Sequence, residues 1–225
     1  MRRLQFGFYN LAPAGDPQRG PAFVARESEA IVNNRPRNGL RRHPKVYGVV
    51  EAIGRRLPEL EHYTMIRDTS TPSRANIALY VRKGLKVGTV RWIDHQREWK
   101  RPLHPGMHEP RSTLVVTVED WTVVVAHAPQ VGAPMAAARD EWLAIEAHLL
   151  AAANRNWPVL LLSDSNALWD ELLKRNAGTA MGGTPIESAH TRFAVLRRVR
   201  VRPSVGGVPM LSDHKRCLLG TAVRR

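Results

Sequence analysis

Nine apolar runs of strand length, spread over the whole chain, constrain this sequence more than any other feature. They are Leu4–Asn10, Val46–Val50, Ile77–Arg82, Val87–Ile93, Thr113–Glu119, Thr122–His127, Pro158–Ser163, Phe193–Val201 and Arg216–Ala222. Most are β-branched or aliphatic and are bounded by Gly, Pro, Asp or Asn, as strands are. Two sheets packed face to face, with helices outside, would bury so many strands. Short turns between Ile77–Arg82 and Val87–Ile93, and between Thr113–Glu119 and Thr122–His127, predict two antiparallel hairpins. One strong helix is predicted from Pro134, through Trp142, Ile145, Leu149 and Leu150, ending near Asn154–Asn156 before Pro158. Further helices are expected over Glu27–Val32 or from Ala22, from near Val49 to Arg56, and over Leu168–Arg175.

A length of 225 residues suits one large α/β domain, 1–225, better than two small ones. No internal repeat, low-complexity tract or linker divides it. The single cysteine, Cys217, excludes an intrachain disulfide and a cysteine-based zinc site, and fits a reducing compartment. No apolar run approaches the ~20 residues of a membrane span. The start, MRRLQFGFYN, has its short apolar run broken by Gly7 and Asn10, so it reads as a first strand rather than a leader. A cytoplasmic protein with no membrane partner is the expectation.

Charge points to the partner. Thirty-four basic residues against 20 acidic ones give +14, and nucleic acid is the commonest polyanion that such a surface meets. Two basic clusters stand out: Arg35, Arg37, Arg41, Arg42, His43 and Lys45, then Arg197, Arg198, Arg200 and Arg202.

Several apolar runs end in chemistry. Leu4–Asn10 ends in Asn10, VYGVV runs into Glu51, TVVVAH ends in His127, and PVLLLSDSN delivers Asp164 and Asn166. Asp213 and His214 stand just before the last run. Each residue has an ordinary structural use, such as Asp164 or Asn166 capping a helix or Glu51 in a first helical turn. As a set they are chemically coherent. Asn10, Glu51, Asp164, Asn166 and Asp213 offer hard oxygen donors, suited to Mg²⁺, Mn²⁺ or Ca²⁺. His127 and His214 can move protons or hydrogen-bond a phosphate. In an extended chain residues two apart share a face about 6.7 Å apart, so Asp164 and Asn166 can reach one cavity. Hard donors, two histidines and a basic surface describe phosphodiester hydrolysis.

These segments resemble the endonuclease/exonuclease/phosphatase superfamily, which has the deoxyribonuclease I-like fold. SDSN at 163–166 resembles the family's GD-x-N strand end, and SDH at 212–214 matches its C-terminal SDH. VVEA at 49–52 resembles the segment carrying the metal-binding Glu, FYN at 8–10 the "WN" segment, and AHAP at 126–129 the histidine motif of the deoxyribonuclease branch. The five occur in the family's order along the whole chain. The resemblance implies an α/β four-layer sandwich, two packed mixed β-sheets flanked by helices. It also implies a Mg²⁺- or Mn²⁺-dependent hydrolase, a nuclease acting by in-line water attack.

Position by position, it implies that Glu51 binds the metal with Asn10 and Asp213 nearby. Asp164 orients or activates the water, and Asn166 holds phosphate or metal. His127 contacts the scissile phosphate or protonates the leaving oxygen. His214 serves as base or phosphate ligand, and Arg111 binds substrate phosphate. Ser163 and Ser165 replace the family's usual neighbours of the Asp, and Val50 its Gln. The family also carries an Asp ahead of SDH that orients the final histidine, whereas no acid lies between Glu187 and Asp213 here. The expected function is a nuclease on DNA ahead of RNA. The alternatives are a non-catalytic or weakly active nucleic-acid-binding protein on the same fold, and a phosphatase of a small or lipid phosphate.

Overall fold

In the computed structural model the described residues are 3–10, 44–50, 52, 57–94, 112–127, 158–164, 191–196, 199–203 and 218–224. They form β1 (Arg3–Asn10), β2 (Val46–Val50), β3 (Tyr63–Ile66), a one-turn helix α1 (Pro72–Ala75), β4 (Ile77–Arg82), β5 (Val87–Asp94), β6 (Ser112–Val118), β7 (Trp121–His127), β8 (Val159–Asp164), β9 (Thr191–Leu196), β10 (Val199–Pro203) and β11 (Leu218–Arg224). The first sheet has six strands in the order β10-β11-β1-β2-β4-β3. The second has five, β5-β6-β7-β8-β9. Each is mixed: β1 runs parallel to β2 and β7 parallel to β8, while the other pairs are antiparallel.

The core lies between the sheets and follows from alternation. Leu4, Phe6 and Phe8 of β1, with Val46, Val50, Ile77, Leu79 and Val81, face Leu114, Val116, Val118, Trp121, Val123, Val125, Leu160 and Leu162. Successive side chains on a strand point to opposite faces, so the intervening residues Tyr9, Tyr47, Val49, Ala78 and Tyr80 lie on the outer face. There they are buried with Ala52, Leu57, Leu60 and Tyr63. That outer cluster is anchored by hydroxyls as well as rings. Tyr63 donates to Pro44 O at 2.7 Å and Tyr80 to Pro58 O at 2.8 Å. Burial raises the ionisation of both phenols, that of Tyr63 to about 12. Strands paired in parallel and covered on both faces lose the polar alternation of a surface strand, and every residue of β2 and β7 is buried.

Gly220 permits the closest approach in the first sheet. A Cβ there would stand 2.5 Å from Phe6 Cζ, and Phe6 pairs with Gly220 across β1 and β11.

The β6–β7 hairpin is as expected. It turns through Glu119 and Asp120, with Glu119 at φ 56°. The other predicted hairpin is not formed. β4 pairs with β2 and β3 in the first sheet, and β5 pairs with β6 in the second. The turn between them carries the chain from one layer to the other. β4, apolar on both faces, is thereby taken into the sheet interior. The run at Phe193–Val201 is two strands, β9 and β10, at edges of different sheets. Val49 and Val50 belong to β2 and not to a helix. β3 and α1 are elements that the sequence pattern did not announce. The helices expected around 22–32, 134–156 and 168–175 lie outside the described residues. Among the described residues no helix is long and apolar enough to cross a membrane.

Candidate active site

Both parallel pairs end at the same edge of the sandwich. In the first sheet Asn10 is in register with Val50, which is in register with Ile77. In the second, His127 is in register with Asp164, Ala126 with Thr113, and Ser112 with Asp94. These two sets are tied together by one arginine. Arg74 of α1, two residues before β4 begins, donates from Nε to Asp94 Oδ1 at 2.9 Å and from Nη2 to Asp94 Oδ2 at 2.6 Å. The ends of β1, β2, β7 and β8 therefore lie along one rim. Ligand sites in α/β sheets characteristically open outside the carboxyl ends of parallel strands.

The rim continues the rows of the core. Counting in twos from Phe8, Val125 and Leu162 leads to Asn10, His127 and Asp164. Counting back from Leu114 leads to Ser112, and on from Trp92, packed against the core, to Asp94. Each row changes from apolar to polar at the last step. His127 is only 2% exposed, so water has little access to its ring. Asn10 and Asp164 are placed by their backbones. Glu51, Arg111, Asn166, Asp213 and His214 lie outside the described residues. In sequence, Glu51 directly follows β2, Arg111 directly precedes β6, and Asp213–His214 precede β11.

A second polar group, unsuspected from the sequence, surrounds α1. Besides gripping Asp94, Arg74 donates from Nη1 to Asp68 Oδ2 at 2.8 Å, and Ser112 Oγ donates to Asp94 Oδ1 at 2.9 Å. The fork geometry of a guanidinium suits this two-oxygen grip. Hydrogen bonds to Asp94 and then Asp68 raise Arg74's affinity for its proton. Ser70 and Arg74 hold the Asp68 carboxyl down to about 2. With two carboxylates against it, Arg74 is an electrostatic cross-tie between the sheets.

Arg67, just past β3, donates from Nη2 to Ala52 O at 2.7 Å and to Ala75 O at 2.8 Å, with Nε to Ala75 O at 3.2 Å. Its half-buried position makes the charged form costlier and lowers its pKa. The signal for Asp94 and Ser112 was present in the sequence: extending two predicted strands by one residue each, VRWI-D and S-TLVV, adds both. For Arg67, Asp68 and Arg74 in RDTSTPSR there was no such signal, since charges between strands read as a solvated turn.

As donors, the residues expected at the site are carboxylate and amide oxygens, the chemistry of Mg²⁺ or Mn²⁺ ligands rather than of zinc. Among the described residues no cluster of three or more His, Cys, Asp or Glu side chains forms a metal centre by itself.

No protein-family model matches the chain, and no curated protein matches it in sequence. Its three-dimensional arrangement does match solved structures. An endonuclease/exonuclease/phosphatase from Bacteroides vulgatus superposes with a TM-score of 0.68 at 14% identity, over 100% of both chains. D. rerio TDP2, in a complex with a single-strand DNA product, gives 0.60 at 15% identity over 98% of each chain. The human Nocturnin catalytic domain with a bound sulfate gives 0.60 at 11% identity, over 100% of this chain and 96% of that one. The resemblance read from the motifs holds at the level of architecture: this is the fold of the endonuclease/exonuclease/phosphatase proteins.

Proposed function

From that fold and its polar rim, we propose that the chain is a metal-dependent phosphodiesterase that cleaves nucleic acid, DNA ahead of RNA. The observation that carries this is the register of His127 with Asp164, on the same rim as Asn10. Two ionisable residue types of phosphoester hydrolysis stand side by side, each ending an otherwise apolar row.

In the proposed reaction a water oxygen forms a bond to phosphorus as the opposite P–O ester bond breaks. Asp164 orients the water and draws on its proton. His127 donates a proton to the departing oxygen or hydrogen-bonds the phosphate. Asn166 and Arg111 position the phosphate, and His214 serves as base or phosphate ligand. Glu51, Asn10 and Asp213 supply oxygen donors for Mg²⁺ or Mn²⁺, which when bound contributes charge neutralisation of the phosphate. A buried histidine strengthens any charge interaction made with it, because local water is scarce.

The partner follows from charge. A chain at +14 is drawn to phosphate backbones, and TDP2, which shares the fold, is seen with a single-strand DNA product. The test is incubation of labelled single- and double-stranded DNA and RNA with Mg²⁺, with Mn²⁺ and with chelator. Metal-dependent strand scission supports the proposal. Binding without scission over all metals favours the second reading, a non-catalytic nucleic-acid-binding protein, for which the absence of an acid between Glu187 and Asp213 speaks. Release of inorganic phosphate without scission identifies a phosphatase.

A further inference from the structure

We propose that Arg67 is the positioning residue for Glu51, holding the backbone beyond it so that its carboxylate is preset for a divalent cation. The inference rests on the reading of Glu51 as a metal ligand.

The backbone is fixed on both sides of residue 51. Ahead of it, Val50 is locked between Asn10 and Ile77 in the ladder. Behind it, Ala52 is fully buried in the outer cluster, and its N–H donates to Asn76 O at 3.1 Å. The remaining backbone group of Ala52, its carbonyl, is where the regular ladder fails. Extending the β2–β4 register by two residues brings Ala52 opposite Ala75. The N–H of Ala75 is directed instead to Thr71 O, at 2.9 Å, because α1 has already begun to turn. A buried carbonyl without a donor costs about 1–3 kcal/mol. Arg67 supplies that donor at 2.7 Å, and the same guanidinium holds Ala75 O. One side chain thus joins the exit of β2 to the helix that carries Arg74 and, through Asp94, to the second sheet. A half-buried cation is a costly donor for two neutral carbonyls, as its lowered pKa records. Fixing a chain exit that bears a ligand gives that cost a purpose. Groups that orient a metal ligand typically change metal affinity by about 10–100-fold when removed.

The experiment is isothermal titration of Mn²⁺ alone into the full chain, in the wild type, Arg67→Met, Arg67→Lys, Glu51→Gln and Gly220→Ala, with thermal unfolding of each. Arg67→Met is expected to weaken Mn²⁺ binding about tenfold. Arg67→Lys keeps a cationic donor and is expected to recover part of that loss, and it serves as the probe if Arg67→Met does not fold. Gly220→Ala, a packing change remote from the rim, is expected to lower the melting temperature without moving Mn²⁺ affinity. If both Arg67 variants bind Mn²⁺ as the wild type does while Glu51→Gln does not, the clamp is refuted and the metal reading stands. If Glu51→Gln also binds normally, Glu51 is not a ligand, and the metal assignment and this inference fall together.

Discussion

His127 and Asp164 end neighbouring parallel strands in register, each one step beyond the apolar residue, Val125 or Leu162, that fills the core below it. Adjacent strands stand about 4.8 Å apart. No flexible loop is therefore needed to bring the two residues together, and their spacing is as rigid as the second sheet.

The proposed chemistry predicts that His127→Ala and Asp164→Asn each lower phosphodiester cleavage by at least about 100-fold, the lower range for loss of a proton-transfer group. Binding of labelled DNA in chelator should change little. Full nicking of plasmid DNA by either variant, with Mg²⁺ present, would remove that residue from the reaction.

Electrostatic recognition predicts a steep response to salt. Single-stranded DNA loses affinity with a log–log slope of about −0.7 per phosphate neutralised. Fluorescence anisotropy with a labelled oligonucleotide between 50 and 200 mM salt should therefore show a fall of about tenfold or more. A flat response would point to a small phosphate substrate.

Asp68 gives a prediction with a defined sign. Its carboxyl is held at about 2, against an ordinary 3.8, first by Ser70 and then by Arg74. A depressed acid stabilises the fold where it is ionised. The contribution is complete above its ordinary range and is lost as pH falls through about 2. Asp68→Asn should melt at a lower temperature than the wild type near pH 7, and the two should converge toward pH 2. A difference that stays constant down to pH 2 would mean that the ion pair with Arg74 does not contribute.

Gly220→Ala should destabilise by about 1–3 kcal/mol, the usual range for overpacking. The added methyl would meet the tip of the Phe6 ring at 2.5 Å, and that ring is enclosed in the core at 1% exposure. Denaturant unfolding measures the effect. Phe6→Leu in the same chain should restore part of the loss by making room, and no restoration would place the strain elsewhere.

The strands were legible because burial imposes a simple code. VYGVV at 46–50 has no other economical use than a strand covered on both faces, and it is one. Pairing was less legible. Arg82–Val87 looks like a hairpin turn, yet the same short turn can move the chain between layers, and only burial of β4 on both faces selects that outcome. β3, four residues beside Glu61 and His62, is too short for its period to show. At the rim, the positions of Asn10, His127 and Asp164 could be read from polar endings to apolar rows. Asp94 and Ser112 were lost by ending two strands one residue early. Arg67 and Arg74 were invisible because their partners, two carbonyls and two acids, are set by tertiary contact.

The pairing of β1 with β11 joins the ends of the translated message. β1 closes at residue 10, but its antiparallel neighbour begins only at residue 218. During synthesis the first sheet must wait, one strand short on that side, until almost the last codon has been read. Such late closure is slow and exposes a strand edge. It also acts as a timer: the segment preceding β11 takes its place beside Asn10 only when the polypeptide is nearly complete. A nascent chain on the ribosome, surrounded by RNA, would hold no finished hydrolase.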